Sequence, residues 1–261
     1  MPLETLNELD IKGMVIDKPR RKSERFNPFT DLTREDFEKK LELIQAIIEF
    51  EGKGLTDLGD AASGFNELRV LFPNLAPQTI GVSSERMDDE MRRLTNYYYD
   101  GDWGNYLRQA LRLKFLEPEV AIQLTNTALE NLKMRIQQRW DVGGSFSGLS
   151  DAYLFRQIWP GRFHELELTE EYWIKLRDAY QRRAFGGVTL AEARIVFPEQ
   201  FKRDIKVTDD VINFTRRSGG DYYAAILAAD DIIVDNTGLH LVFNEKETLV
   251  EDHTPPAKLN F

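Results

Sequence analysis

A five-residue pattern returns five times along this chain and restricts its fold more than any other feature. It reads Leu32-Thr33-Arg34-Glu35-Asp36, Val82-Ser83-Ser84-Glu85-Arg86, Leu116-Glu117-Pro118-Glu119-Val120, Leu168-Thr169-Glu170-Glu171-Tyr172 and Val207-Thr208-Asp209-Asp210-Val211. Each has the chemistry of a helix start. Thr or Ser caps an orphan N–H, carboxylates face the positive end of the macrodipole, and the preceding apolar residue can act as a staple. Pro118 suits a first helical position. Counted from the second residue of each pattern, the spacings are 50, 34, 52 and 39.

Other landmarks recur in order between these starts. Apolar residues at steps of three and four follow each one, as in Phe37, Leu41, Ile44, Ile47 and Ile48, or Val120, Leu124, Ala128, Leu132, Ile136 and Trp140. Such steps line one helix face. Glycines then turn the chain at Gly52 and Gly54, Gly101 and Gly104, Gly143-Gly144, Gly186-Gly187 and Gly219-Gly220. A second, shorter amphipathic stretch follows. Three of these stretches close on Leu71-Phe72-Pro73, Ile158-Trp159-Pro160 and Val196-Phe197-Pro198, where proline stops the helix and the ring anchors the exit. In the second unit, Phe115-Leu116-Glu117-Pro118 merges this closing motif with the next start.

The unit is therefore helix, glycine turn, helix, aromatic-Pro stop and extended linker. A helical hairpin cannot bury its apolar face alone, so successive units must stack. The expectation is an all-α, irregular helical-hairpin repeat, α-solenoid-like, of about five units over residues 32–235. A basic extended arm (1–31) precedes it, and a short extended segment with a C-terminal tail (236–261) follows. An irregular helical globule obeys the same capping rules. The ordered glycine and aromatic-Pro landmarks, which capping does not require, favour the repeat. The unit resembles helical-hairpin repeats in general; the tetratricopeptide and ankyrin signatures are absent.

Charge qualifies the choice of partner. The formal net charge is −10, yet Lys18, Arg20, Arg21, Lys22 and Arg25 against Glu24 give the arm a local +4, leaving −14 for the rest. The acidic whole is not drawn to polyanions by its overall field, so nucleic acid is expected only through this arm. Asn27-Pro28-Phe29 is expected to pin the arm to the first helix. At the far end, Asp235-Asn236-Thr237-Gly238 reads as a turn, and Leu239, Leu241 and Phe243 as one short strand. The tail ends in Phe261, a candidate apolar peg.

Catalytic patterns are sparse. There is no cysteine, and His164, His240 and His253 stand apart at no metal-ligand spacing, so no cofactor or metal is expected. Among carboxylate groups, Asp88-Asp89-Glu90 and Asp209-Asp210 follow helix starts, where capping accounts for them. Asp230-Asp231 reads as lying late in an apolar helix beside Ile232-Ile233. Gly143 to Gly148 lacks the Lys-Ser/Thr of a phosphate-binding loop. Tyr97-Tyr98-Tyr99, followed by Trp103, is the densest aromatic stretch. Residues about 100° apart on a helix cannot all face the core, so at least one tyrosine should be exposed.

These features make a non-catalytic, cytoplasmic, protein-binding scaffold the first expectation. No run of apolar residues is long enough to span a membrane. The candidate partner-binding residues are Lys18, Arg20, Arg21, Lys22, Arg25, Tyr97, Tyr98, Tyr99, Trp103 and Phe261. Two alternatives stay open. One is a component of a large, ribonucleoprotein-type assembly docking through the arm and tail. The other is a carboxylate-dependent enzyme using Asp230, Asp231, Tyr222 and Tyr223.

Overall fold

The computed structural model describes residues 25–51, 58–76, 82–142, 145–181 and 186–244. Lys18, Arg20, Arg21, Lys22, His253 and Phe261 lie outside them, as do Gly52, Gly54 and Gly143-Gly144. The described chain is mostly helical: α1 (Pro28–Asp31), α2 (Arg34–Glu51), α3 (Gly59–Leu71), α4 (Ser84–Tyr99), α5 (Trp103–Leu116), α6 (Asn126–Val142), α7 (Ser145–Ile158), α8 (Glu170–Gln181), α9 (Gly187–Val196), α10 (Pro198–Asp204) and α11 (Asp209–Ala228). A 3₁₀ segment, Pro160–Leu166, follows α7, and one hairpin of β1 (Asp231–Asp235) and β2 (Gly238–Val242) follows α11.

Side-chain caps set several helix starts. Thr33 and Asp36 form a reciprocal box, Thr33 Oγ1 accepting from Asp36 N at 3.2 Å and the Asp36 carboxylate accepting from Thr33 N at 2.7 Å. Ser83 Oγ accepts from Arg86 N, and Thr208 Oγ1 from Val211 N. The third expected start is displaced. Leu116 to Val120 begins no helix: Lys114 Nζ donates to the Pro118 carbonyl and Val120 N to Glu117 O, closing a turn. Beyond it, Trp159 Nε1 donates to Ile122 O at 2.8 Å and Arg162 Nη1 to Leu124 O at 2.6 Å, which holds the segment extended. Helix α6 starts after Thr125, whose Oγ1 accepts from Ala128 N at 3.1 Å. Val120 and Leu124 thus precede the helix, while Ala128, Leu132, Ile136 and Trp140 are its buried stripe.

Other expectations need similar correction. Pro160 and Pro198 stop one helix and open another, the 3₁₀ segment and α10, where a plain extended linker is expected. The apolar run after Ala224 leaves helical geometry at Ala229, so Asp231, Ile232 and Ile233 belong to β1. Leu239 and Leu241 face the core from β2, which pairs antiparallel with β1, Ile232 opposite Leu241 and Val234 opposite Leu239. Asn27 caps α1, but Phe29 packs edge-on against Phe243 at 5.2 Å, and the Arg216 guanidinium lies 4.5 Å over the buried Phe26 ring. The arm's last residues are therefore fixed to α11 and the end of β2.

Packing follows a closed circuit. Helices pair consecutively as α2 with α3, α4 with α5, and α6 with α7, and α3 packs on α5, α5 on α7, α7 on α9 and α9 on α11. Helix α11 then returns to α3. One continuous core runs through these helices, with Phe65, Leu68, Leu107, Leu113, Phe155 and Ile226 fully buried. Helix α11 bends at Gly220, whose φ of 85° suits glycine, so its second half turns inward. At Gly187 a Cβ would collide with Thr215, and the bare backbone lets α9 lie close on α11.

Two arginines fasten successive inner helices. Arg156 of α7 donates to Ile195 O and Val196 O, the last carbonyls of α9. Arg194 of α9 donates to Ile226 O at 2.8 Å, Leu227 O at 2.8 Å and Ala229 O at 2.6 Å, at the end of α11. Each puts a cation where a helix leaves carbonyls unpaired and its dipole is negative.

Candidate functional site

The α4–α5 turn presents the most accessible aromatic surface among the described residues. Tyr99 is 80% exposed, whereas Tyr97, Tyr98 and Trp103 are half-buried and rest on the core. This is the outcome three consecutive helical tyrosines require. Tyr99 is not an isolated ring. It meets Tyr98 edge-on at 5.5 Å, Tyr98 meets Trp103 at 5.6 Å, and Trp103 meets Tyr106 at 5.7 Å. Tyr106 stacks on Trp159 at 6.2 Å, and Trp159 leans on the buried Phe155 at 5.1 Å. A ladder of six rings thus joins an exposed tyrosine to the interior.

Polar contacts lock the ladder. The Tyr98 and Thr125 hydroxyls lie 3.3 Å apart, and Tyr106 donates to Gln123 O at 3.4 Å. Burial pushes the Tyr106 phenol up to about 12, so it stays a neutral donor. Asp102 caps α5 by accepting from Asn105 N at 3.2 Å, and that bond holds its carboxyl below the usual range. Rings held in one orientation lose little entropy when a partner covers them.

A second cluster lies inside. Tyr222 of α11 accepts from Asn66 Nδ2 of α3 at 3.3 Å and meets the Tyr153 hydroxyl of α7 at 3.1 Å. Beside them, Ser150 of α7 donates to Glu192 Oε2 of α9 at 3.0 Å. Burial drives the Glu192 carboxyl up to about 7 and the Tyr223 phenol to about 12. Glu90, expected among first-turn carboxylates, is instead wholly buried in α4, where Gln109 Nε2 donates to both its Oε2 and its main-chain oxygen.

The other sequence candidates are spread apart. Arg25 Nη2 donates to Leu227 O at 3.0 Å, sharing that carbonyl with Arg194. Asp230 Oδ2 accepts from Asn244 N and Asp231 Oδ1 from Ile232 N, so both carboxylates bind main chain where the β-hairpin starts. Tyr222 is buried on the α3 and α7 side and makes no described contact with that pair. His240 pairs with Asp235 and Thr237 across the hairpin turn. Among the described residues no three His, Asp or Glu are grouped to hold a metal, and no helix is long and apolar enough to cross a membrane. Compared with known protein families, curated proteins and solved structures, the chain matches none.

Proposed function

We propose that this chain is a non-catalytic protein-binding scaffold of helical-hairpin units, with the aromatic surface at the α4–α5 turn as its contact point. The observation that carries the reading is the exposed Tyr99 ring, held by Tyr98, Trp103 and Tyr106 against Trp159. Protein interfaces concentrate binding energy in Tyr and Trp that are rigid before contact, because covering them removes apolar area at little entropic cost.

The repeat reading draws support from the caps. With Thr125 as the third start, Thr33, Ser83, Thr125, Thr169 and Thr208 follow one another at intervals of 50, 42, 44 and 39 residues. This series is more even than the one obtained with Glu117. Each of these residues immediately precedes a helix, and the first three of those helices pack on the next in sequence, α2 on α3, α4 on α5 and α6 on α7. Because α11 packs back on α3, the reading assigns partner contact to the turns rather than to the open end of a stack.

The test is purification of the tagged wild type, Tyr99→Ala and Phe214→Ala from the source cells with quantitative mass spectrometry. Phe214 is also an exposed ring, on α11. Proteins that co-purify with the wild type and the Phe214 variant and are lost with Tyr99→Ala support the reading. An identical set for all three rejects the α4–α5 surface.

A further inference from the structure

The β-hairpin leaves one strand edge open. Among the described residues the sheet has two strands, and no main-chain group outside β2 and its flanks pairs with β1. No residue of β1 is buried, whereas Leu239 and Leu241 of β2 are. Ile232 and Val234 rest on the core, while Asp231, Ile233 and Asp235 alternate with them on the outward face, Ile233 49% exposed. An unpaired edge of this kind is a template for a further strand.

Charge decides which strand fits. Asp235 has His240 3.3 Å away, but the Asp230 and Asp231 carboxylates are in no ion pair among the described residues and accept from main-chain N–H groups. Arg194 lies near them with its guanidinium held by main-chain carbonyls. A second copy adding its own β1 antiparallel about Ile233 would set Asp231 opposite Asp235 twice, and like charges directly opposite destabilise a pairing. The edge therefore selects an extended segment with cations on one face.

The chain carries such a segment, fastened beside this edge. Arg25 Nη2 donates to Leu227 O at 3.0 Å, four residues ahead of β1, and the buried Phe26 ring lies under the Arg216 guanidinium. Asp230 N donates to Val242 O, so this anchor stands at the base of the hairpin. A strand that ends at the base and lies along β1 runs antiparallel to it. Three residue steps from Arg25 back to Lys22 reach about 10 Å when extended. Lys18, Arg20 and Lys22 then share one face, as Asp231, Ile233 and Asp235 do, because side chains alternate along a strand.

We propose that Lys18–Lys22 of the N-terminal arm adds to β1 as a third, antiparallel strand, with Lys22 opposite Asp231, Arg20 opposite Ile233 and Lys18 opposite Asp235. Both acid–base pairs are four residues apart on their own strands, so one register satisfies both. Pro19 belongs on the outermost strand of a sheet, where a missing N–H is tolerated. So placed, the arm covers the edge against pairing with other chains.

The full chain has no cysteine, so introduced pairs report alone. In a glutathione buffer, Arg20→Cys with Ile233→Cys should form an intrachain disulfide in high yield, and Pro19→Cys with Ile233→Cys, on opposite faces, should form little. Equal yields, no disulfide in either, or an interchain disulfide that assigns the edge to a second copy each overturn the proposal. Hydrogen exchange gives an independent reading without cysteines. Lys18→Glu with Lys22→Glu should speed exchange of amides 231–235, and adding Asp231→Lys with Asp235→Lys should restore the slower rate. Exchange unchanged by the first pair of substitutions overturns the charge register.

Discussion

The Tyr153 and Tyr222 hydroxyls meet at 3.1 Å, joining α7 to α11 across 69 residues of sequence. With Asn66 Nδ2 on the same Tyr222 oxygen, the pair ties the first helical hairpin, a middle one and the last helix at one interior point. Burial pushes both phenols well above their usual range, so they act as neutral hydrogen-bonding groups at any physiological pH.

Removing either hydroxyl should weaken the circuit. Tyr153→Phe is expected to cost about 1 kcal/mol, and Tyr222→Phe more, because it strands Asn66 as well. Denaturant unfolding of the single and double variants should give a double-variant cost below the sum of the singles, since the two groups share one bond.

Arg194 should matter more than its position near the surface suggests. Arg194→Ala takes the arginine from the Ile226 and Ala229 carbonyls, Leu227 O keeping Arg25, and is expected to cost about 1–3 kcal/mol by denaturant unfolding. Arg194→Lys, a single ammonium in place of a planar fork, should recover only part of this loss.

The α9–α11 approach should tolerate no added methyl. Gly187→Ala places a Cβ against Thr215 and is expected to lower stability by about 1–3 kcal/mol. Adding Thr215→Ala, which removes two of the three colliding atoms, should recover part of the loss in a thermal melt.

Acid should loosen the α8–α10 contact. Asp204 is held well below the usual carboxylate range, first by the Arg203 guanidinium and then by Trp173 Nε1 at 2.7 Å. A depressed folded-state pKa gives stability that is present above the unfolded value, near 3.8, and is lost as pH falls through and below it. Trp173 fluorescence should therefore shift on acidification below about pH 4, and Asp204→Asn should blunt that shift while lowering stability at neutral pH.

Much of this architecture is legible locally. Thr33, Ser83, Thr169 and Thr208 mark helix starts because capping is a short-range event, and the stripe from Ala128 to Trp140 reveals its buried face by spacing alone. The errors have distant causes. Leu116 to Val120 carries helix-start chemistry, yet Trp159 and Arg162, nearly 40 residues on, claim the carbonyls that follow. Ile232 and Ile233 continue an apolar run and become a strand because β2 is there to pair with them. The arginines in Arg156-Gln157-Ile158-Trp159-Pro160 and Arg194-Ile195-Val196-Phe197-Pro198 stand three residues before the recurring aromatic-Pro. Their recurrence is a signal that composition hides, and only packing reveals what they bind. At the α4–α5 turn, helical geometry requires an exposed tyrosine, but the ladder behind it depends on Trp159 arriving from another hairpin.

Photo-crosslinking inside the source cells tests the proposed role of that surface most directly. A benzoylphenylalanine placed at position 99 and, in a second strain, at position 214 should behave differently on irradiation. The account predicts discrete higher-mass adducts containing a specific protein at 99, and none of these at 214. Absence of any adduct at 99, or the same adducts at both positions, would contradict it.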